Sequence, residues 1–473
     1  MIQKFTRYFD IMATFLRNIL NDGSYSEKDF QSVLNGHNSA TLEQLTERFP
    51  ELVNINKTPN SLGLRDINKN FFEKLSMLEN ENIYFQLLAL YYMDRAIESC
   101  YFHNSNFEDD VEQTKSLNSN VKKTQIVIMK KTKCCWEHTV HSGNLIDLIF
   151  SVFYYIDYQK LPNTRVIHHI VDPNLIAPKS TDNYKFAISP VTKQEVLCLS
   201  TAYKRKNKKT GSFQTLFRVE KLKDEKRLKD YILENIIAAG NQNADLIVFP
   251  EMLGSDAMLQ QILEEIKEKK CIVPTLIVFP SIWKKAETDE KNTNRSCMIL
   301  NGQEILFEQK KYCNFKYYEE NAPTIPVYED INDTPGDREL HLLHIKGLGR
   351  ICIIICYDYL ESENREEIIK NLRPTLVCSP SFSTGSFEFS LLAQSGLYHN
   401  CNWIWCNTCS AYNHTKKIQN FEVAGIITTL SKNCDFARNT GLQKNYDGVA
   451  SCGKKHCDKC IYYAEIPIND FKL

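Results

Sequence analysis

A run of six consecutive apolar residues at positions 351–356, made only of Ile and Cys, constrains the fold more than any other part of the sequence. Such a short, continuous run, bounded upstream by Gly347 and Gly349, predicts a strand that is buried on both faces of a sheet. The run ends at Cys356, and polar, charged residues follow from Asp358 onwards. A thiol at the end of a buried strand is held rigidly beside a loop, which suits a nucleophile. The alternative is an inert core cysteine, because free cysteines are among the most buried residues.

The sequence around this run alternates between predicted strands and predicted helices from about residue 195 onwards. Continuous apolar runs predict the strands, and apolar residues at helical spacing predict the helices. This alternation is typical of α/β folds, in which helices cover a sheet. The predicted strands are at residues 196–203, 245–249 and 275–280, and the predicted helices are at residues 224–239 and 259–270.

Two further predicted strands end in ionisable residues. Glu251 follows one apolar strand directly. The Asn301-Gly302 pair between two apolar runs predicts a β-hairpin, because both turn positions need positive φ, and the outgoing strand ends at Lys310 and Lys311. A carboxylate can accept a thiol proton, an ammonium can stabilise an oxyanion, and a thiolate can attack a carbonyl or nitrile carbon. These groups form a chemically complete set, although spacing alone does not prove that they converge.

The first part of the chain predicts a mainly helical domain followed by a mixed region. An aromatic-rich helix within it has a stripe that is typical of core packing rather than of a cofactor site. The predicted elements are helices at 1–20, 39–49 and 81–101, a polar linker at 104–120, a strand at 124–129 and an apolar helix at 144–155. The predicted domains are a helical domain at 1–120, a mixed α/β connecting region at 121–193, and an α/β domain with a cysteine-rich tail at 194–473.

The composition argues against several classes of protein. Lys and Arg total 57 against 58 Asp and Glu, a net charge of -1, so there is no electrostatic footprint for nucleic acid or an anionic membrane. The longest apolar stretches are about half the length that a membrane helix needs. The 17 cysteines, spread through 473 residues, are not typical of a secreted disulfide framework. We therefore expect a cytoplasmic protein with reduced thiols and without nucleic-acid or membrane partners.

Three stretches together resemble the motifs of the nitrilase superfamily of carbon–nitrogen hydrolases. They are residues 245–251, the lysine after the Gly-containing hairpin, and residues 355–358, and they occur in the family's order of Glu, Lys and Cys. The resemblance covers about residues 194–467 and leaves the first part of the chain unrecognised. It implies an α-β-β-α sandwich that can form a four-layer assembly. It also implies a homodimer or larger homo-oligomer, since family members usually pair through the helices that flank the sheets.

The resemblance also implies roles for individual residues. Glu251 would be the general base and Cys356 the nucleophile, with the backbone N–H of Tyr357 in the oxyanion hole. The implied reaction is hydrolysis of a small amide, nitrile or carbamoyl substrate through a thioester or thioimidate on the cysteine. No cofactor would be needed for catalysis.

Two adjacent lysines compete for the third role. We prefer Lys311, because it keeps apolar and polar strand residues where the family has them. It also places Glu319 at the family's usual position for a second glutamate. Lys310 fits the distance from the turn glycine slightly better and remains the alternative.

The stretch after the nucleophile departs from the family pattern. An Arg and a Pro-Glu pair often follow the cysteine motif, and residues 359–363, Tyr-Leu-Glu-Ser-Glu, stand in their place. This departure and the large first part of the chain favour, to some extent, another class of protein. That alternative is a nitrilase-like sensor or assembly module that binds a small metabolite with little or no turnover.

The C-terminal tail contains a second candidate site. Cys457 and Cys460 form a CxxC pair, and Cys452 and His456 could supply the other two ligands of a four-coordinate structural zinc site. The alternative is a cysteine-rich loop in a reducing compartment.

Overall fold

The structure, a computed structural model, consists of two compact units. The first comprises Met1–Lys133, His138–Pro162 and Lys370–Leu372, and the second comprises Cys134–Glu137, Asn163–Ile369 and Arg373–Leu473. The residues that the structure describes are 2–26, 28, 30, 39–54, 56–104, 107–120, 126–132, 134, 149–161, 164–172, 175–176, 180, 183–192, 196–206, 211–286, 292–319, 322–331, 338–361, 365–366, 368–383, 385, 387–397, 399, 401–411, 425–428 and 461–467.

The first unit is mainly helical. Its elements are α1 (Ile2–Asp22), α2 (Ser39–Arg48), α3 (Lys69–Met77), α4 (Ile83–Ala96), α5 (Glu98–Asn104), α6 (Phe107–Asn120), β1 (Ile126–Lys130) and β2 (Phe153–Asp157). Helices α1 and α4 supply much of the core, where Tyr8, Phe15 and Leu88 are fully buried. Asn68 and Asn82 cap α3 and α4, because each side chain accepts a hydrogen bond from a backbone N–H in the first turn. No helix in the described ranges is both long and apolar enough to cross a membrane.

Two sequence predictions for this unit were wrong. Residues 107–120 form α6 rather than a linker, because three acidic residues in its first turn complement the helix dipole although its apolar stripe is sparse. The helix predicted at 144–155 overlaps β2, which is rich in aromatic residues and pairs with β1 along its whole length. The other predicted elements of the unit are confirmed, with the helix predicted at 81–101 split between α4 and α5.

Two large sheets form the centre of the second unit. One has the order β11-β12-β10-β9-β4-β21, with β13 paired to β12, and the other has the order β20-β19-β18-β17-β16-β3. A four-stranded sheet has the order β14-β15-β7-β6, and β5 pairs with β8. The bounds are β3 (Thr164–Ile170), β4 (Asn183–Ile188), β5 (Leu197–Leu199), β6 (Tyr203–Lys206), β7 (Phe213–Phe217), β8 (Val219–Leu222), β9 (Leu246–Val248), β10 (Leu276–Val278), β11 (Ile282–Lys284), β12 (Thr293–Leu300), β13 (Glu304–Lys310), β14 (Lys316–Glu319), β15 (Ala322–Glu329), β16 (Arg338–Ile345), β17 (Gly349–Ile353), β18 (Leu376–Ser381), β19 (Asn402–Asn407), β20 (Gly425–Thr428) and β21 (Tyr462–Pro467).

Helices cover the outer faces of the two large sheets. These helices are α7 (Glu225–Asn241), α8 (Asp256–Lys269), the single-turn α9 (Tyr357–Leu360) and α10 (Phe387–Leu397). Helices α7 and α8 share one apolar core with Ile247 and Ile277 of the first sheet. Phe389 of α10 stacks on Trp403 and Trp405 of β19. Strand β9 contacts β18 and β19 across the interior, so the unit is an α-β-β-α sandwich, as predicted.

The second unit begins earlier in the chain than predicted. Strand β3 pairs in parallel with β16, and β4 pairs in parallel with β9, although both were assigned to a connecting region ending at residue 193. The strand predicted at 196–203 as the first of this fold belongs to neither large sheet. The histidines of β3 interrupt its apolar pattern, but His168 is buried because it hydrogen-bonds His344 of β16 across 3.0 Å. A pair of histidines thus joins β3 to β16 where apolar side chains would be expected, so β3 lacks the apolar pattern by which a buried strand is predicted.

The predicted hairpin and the predicted buried strand are both present. Asn301 and Gly302 have φ values of 51° and 65°, as the turn between β12 and β13 requires. All residues of β17 are buried. The strand ends at Ile353, however, so Cys356 lies in the turn that follows it rather than on the strand itself.

Candidate active site

The three strand-end groups identified in the sequence meet inside the second unit. Glu251, Lys311 and Cys356 are 1%, 3% and 3% exposed. Lys311 Nζ lies 2.8 Å from Glu251 Oε1, and the thiol of Cys356 interacts with both charged groups. Their positions follow from the fold, because β9 and β13 of one sheet and β17 of the other end at the same side of the sandwich.

Glu251 is a buried carboxylate with donors on both oxygens. Its Oε1 accepts hydrogen bonds from Lys311 Nζ and from Asn294 Nδ2, each at 2.8 Å. Its Oε2 accepts a hydrogen bond from the backbone N–H of Phe382 at 3.0 Å. A buried carboxylate requires such donors, since burial without them is costly. Asn294, which lies on β12, was not identified in the sequence, where an isolated Asn on a strand carries no distinctive signal.

The structure separates the two adjacent lysines. Lys311 is buried, and its Nζ donates to Glu251 and, at 2.5 Å, to Glu329 Oε2. Burial by itself lowers the pKa of Lys311, but the two carboxylates raise this pKa well above its ordinary value. Lys310, the last residue of β13, is exposed. Only the preferred lysine therefore lies in the site.

A second glutamate, Glu329, lies beside the lysine, and Glu319 remains the sequence prediction for this role. Glu329 ends β15 and is fully buried, and its Oε1 accepts a hydrogen bond from Asn294 Nδ2 at 3.2 Å. Burial raises the pKa of Glu329, and Lys311 opposes that rise. Glu319 ends β14, and its side chain lies outside the described residues. An apolar strand that ends in a carboxylate was the signal for Glu329, the same pattern that identified Glu251.

Cys356 has an unusual backbone conformation. Its φ of 47° and ψ of -111° lie outside the regions that L-residues favour, and such strain clusters at functional sites. The turn is held by a 2.9 Å hydrogen bond from the Cys356 N–H to Pro380 O. Burial and then Glu251 raise the pKa of the thiol well above its ordinary value, with Lys311 opposing them. The thiol is therefore protonated at neutral pH in the free site.

The residue after Cys356, Tyr357, begins α9. Among the described residues, no acceptor takes a hydrogen bond from its backbone N–H. A free N–H next to the thiol and on the first turn of a helix is a suitable donor for an oxyanion.

Asp358 connects the turn that carries Cys356 to the segment that follows Lys311. Its buried carboxylate accepts hydrogen bonds from the backbone N–H of Tyr312 at 3.0 Å and from that of Cys313 at 2.6 Å. Burial raises the pKa of Asp358 to about 6, whereas Lys311 and these N–H groups lower it. The strand end that carries the ammonium is thus fixed to the turn that carries the thiol.

The predicted zinc ligands of the tail, Cys452, His456, Cys457 and Cys460, all lie outside the described residues. Within the described part of the chain, no group of three or more His, Cys, Asp or Glu residues is arranged to bind a metal ion.

Comparison with known proteins gives likenesses of fold. No family model matches the sequence, and no curated protein matches it. Among solved structures, the chain is similar to Nit3 of Saccharomyces cerevisiae, a member of branch 10 of the nitrilase superfamily, with 14% identity, a TM-score of 0.35, and 62% of this chain and 92% of that one covered. It is also similar to an amidase from Nesterenkonia sp., with 13% identity, a TM-score of 0.37, and coverage of 62% and 95%. It is similar, too, to the NitFhit protein of C. elegans, with 15% identity and a TM-score of 0.38; 61% of this chain and 62% of that one are covered.

Proposed function

We propose that the chain hydrolyses a non-peptide C–N bond of a small amide, nitrile or carbamoyl substrate, with Cys356 as nucleophile. One observation carries the proposal: a buried ammonium, Lys311, is paired with two buried carboxylates beside a thiol on a strained turn. Structural ion pairs do not require a neighbouring thiol or a strained backbone. A base hydrogen-bonded to a cation, with a nucleophilic thiol beside them, is the set of groups that covalent catalysis at a carbonyl carbon requires.

In the proposed reaction, Glu251 accepts the proton of the Cys356 thiol while sulfur attacks the substrate carbon. A C–S bond forms, and the carbonyl π-electrons move to oxygen, which is stabilised by Lys311 Nζ and the Tyr357 N–H. The proton on Glu251 then passes to the leaving nitrogen, the C–N bond breaks, and ammonia or an amine departs. Glu251 then takes a proton from water, whose oxygen attacks the resulting thioester. The C–S bond breaks, the acid is released, and the proton on Glu251 returns to the sulfur of Cys356. A nitrile would form a thioimidate at the first step.

Glu329 supports this sequence without contacting the substrate carbon. With Glu251, it keeps Lys311 protonated in a site where burial favours the neutral amine. Because Lys311 remains an ammonium, its positive charge is available when the oxyanion forms.

The proposal is tested with a panel of small primary amides, nitriles and carbamoyl compounds. Ammonia release should be lost in Cys356→Ser, and an acyl adduct on Cys356, observed by mass spectrometry of the intact chain, should be absent in Glu251→Gln. Cys198→Ser, which changes a partly exposed cysteine on β5, is the matched control and should retain the activity. A complete lack of ammonia release and of adducts across the panel would instead support the metabolite-binding module without turnover.

A further inference from the structure

The four-stranded sheet carries one face that starts at the candidate active site. Side chains alternate along a strand, so every second residue shares a face. Strand register places Phe217 opposite Glu329, and Tyr317 opposite Val327. The acidic and large apolar side chains of this surface, the Glu329 face, are Glu329, Val327, Ile325, Phe217, Phe213 and Tyr317. Thr215 lies on the same face opposite Val327, and Lys204 and Lys206 of β6 border it.

The Glu329 face opens steadily with distance from the site. On β15, Glu329 is fully buried, Val327 is 2% exposed and Ile325 is 52% exposed. On β7, which runs parallel to β15, Phe217 is 3% exposed and Phe213 is 70% exposed. From Glu329 to Ile325 the strand rises about 13 Å, at about 3.3 Å per residue. Phe213 and Ile325 thus expose large apolar side chains on the same face as the buried groups of the candidate site, and exposed apolar patches of this kind mark interaction sites.

Aromatic rings connect the nucleophile turn to this face. The ring of Tyr357, next to Cys356, makes an edge contact with Phe315 at 6.1 Å between centroids. Phe315 stacks on Tyr317 at 6.5 Å, and Tyr317 meets Phe217 at 5.4 Å. The backbone N–H of Phe315 also donates to Glu329 Oε2 at 3.4 Å. The series of rings is therefore continuous from the residue beside the thiol to the Glu329 face.

We propose that the Glu329 face is the specificity surface of the site and that it binds an aryl or long-alkyl substituent of the substrate. Continuity with the catalytic groups identifies the occupant: a substituent up to about 13 Å long can lie along the strands while its reacting carbon is at the thiol. Flat aromatic rings and branched side chains suit an apolar chain or ring. This inference rests on the proposed function, since it assumes that the substrate reacts at Cys356.

Alkylation of Cys356 tests the surface without requiring the natural substrate. The probes are iodoacetamide and its N-(4-phenylbutyl) derivative. In each reaction sulfur displaces iodide, a C–S bond replaces the C–I bond, and the thiol proton passes to Glu251. The rate at Cys356 is measured by mass spectrometry of its peptide, with fragmentation separating it from Cys352.

The variants are Tyr317→Ala and the double variant Phe213→Ser/Ile325→Ser, whose two sites are exposed and tolerate substitution. The matched control is Tyr318→Ser, because Tyr318 is 53% exposed on the opposite face of β14. The arylalkyl probe should label wild-type Cys356 about tenfold faster than iodoacetamide, as expected for binding of a few apolar groups. That advantage should fall severalfold in both test variants and stay unchanged in Tyr318→Ser.

Equal labelling rates for the two probes in the wild-type chain would overturn the proposed specificity surface. So would a fall in the arylalkyl probe's rate advantage in Tyr318→Ser as large as the fall in the test variants. The proposed function is judged separately, by iodoacetamide alone. Its reaction at Cys356 should slow strongly in Glu251→Gln and remain unchanged in Tyr318→Ser. If neither probe labels Cys356, the thiol is not an accessible nucleophile, and both proposals fail.

Discussion

Substituting Asp358 by Asn should change how the stability of the second unit depends on pH. The Asp358 carboxylate is 3% exposed and accepts hydrogen bonds from two backbone N–H groups next to Lys311. Burial raises its pKa from 3.8 to about 6. Asn is close in shape, keeps one oxygen acceptor for these N–H groups, and has no proton to exchange in this range.

The sign and size of the effect follow from proton linkage. A folded-state pKa above the unfolded value means that, between pH 3.8 and about 6, the native protein holds a proton that the unfolded chain has released. This group's contribution to stability is therefore complete below pH 3.8 and is lost as pH rises through about 6. The gap between the two pKa values, at about 1.36 kcal/mol per pKa unit, corresponds to about 3 kcal/mol. Relative to wild type, Asp358→Asn should thus gain about 3 kcal/mol between pH 4 and pH 7.

Urea unfolding followed by tryptophan fluorescence measures this difference, because Trp283, Trp403 and Trp405 all lie in the second unit. The free energy of unfolding is determined for both proteins at several pH values from 4 to 8. Tyr318→Ser is the control, because it changes an exposed residue and adds or removes no group that titrates in this range. Its free energy of unfolding should therefore differ from that of wild type by the same amount at every pH. A difference between Asp358→Asn and wild type that stays constant over this range, or shrinks as pH rises, would refute the assignment of a raised pKa to Asp358.

Two further predictions concern the lysine and the tail. Lys311→Met should reduce the rate of ammonia release by roughly 10²- to 10³-fold, as for the loss of an oxyanion donor. Lys310→Met should leave this rate unchanged, because that side chain is exposed. Equal losses in steady-state assays of the two variants would contradict the assignment of Lys311. Elemental analysis of the purified chain should find about one zinc ion per chain, and Cys457→Ser should lose it; well under one zinc per chain in the wild type would exclude the tail site.

Much of the site was predictable because its groups follow short, strongly apolar strands. Cys356 ends one such run, Glu251 follows another after Pro250, and the Asn301-Gly302 turn limits where β13 can end. The ends of neighbouring strands share one edge of a sheet, so strand-end residues are brought together by the fold itself. The distance from the turn glycine slightly favoured Lys310, whereas the pattern of strand residues favoured Lys311. The choice matters, because a shift of one residue along a strand reverses the face on which a side chain lies.

The elements that were missed are those whose burial depends on a distant partner. Strand β3 contains polar residues, yet His169 Nε2 lies 2.8 Å from His341 Nδ1 of β16, in addition to the other histidine pair of these strands. Burial lowers the pKa of His169 and of His341 to about 4, so both rings are neutral at neutral pH and can share one proton in a hydrogen bond. No local pattern contains this information, since the two strands are far apart in the chain.

The distribution of charge explains why the site contains a second glutamate. Lys311 carries one positive charge, and Glu251 must be ionised to accept the thiol proton. Burial raises the pKa of Glu329 and Lys311 opposes that rise, so Glu329 can remain the partner of the ammonium when Glu251 takes up the thiol proton in this fully buried site. In the proposed reaction, the thiol proton moves to Glu251 as sulfur attacks, and a negative charge appears on the substrate oxygen. The total charge of the site is then unchanged, because Lys311 balances the oxyanion instead of Glu251. A buried site can accommodate this transfer because charge is relocated by a few ångströms rather than created.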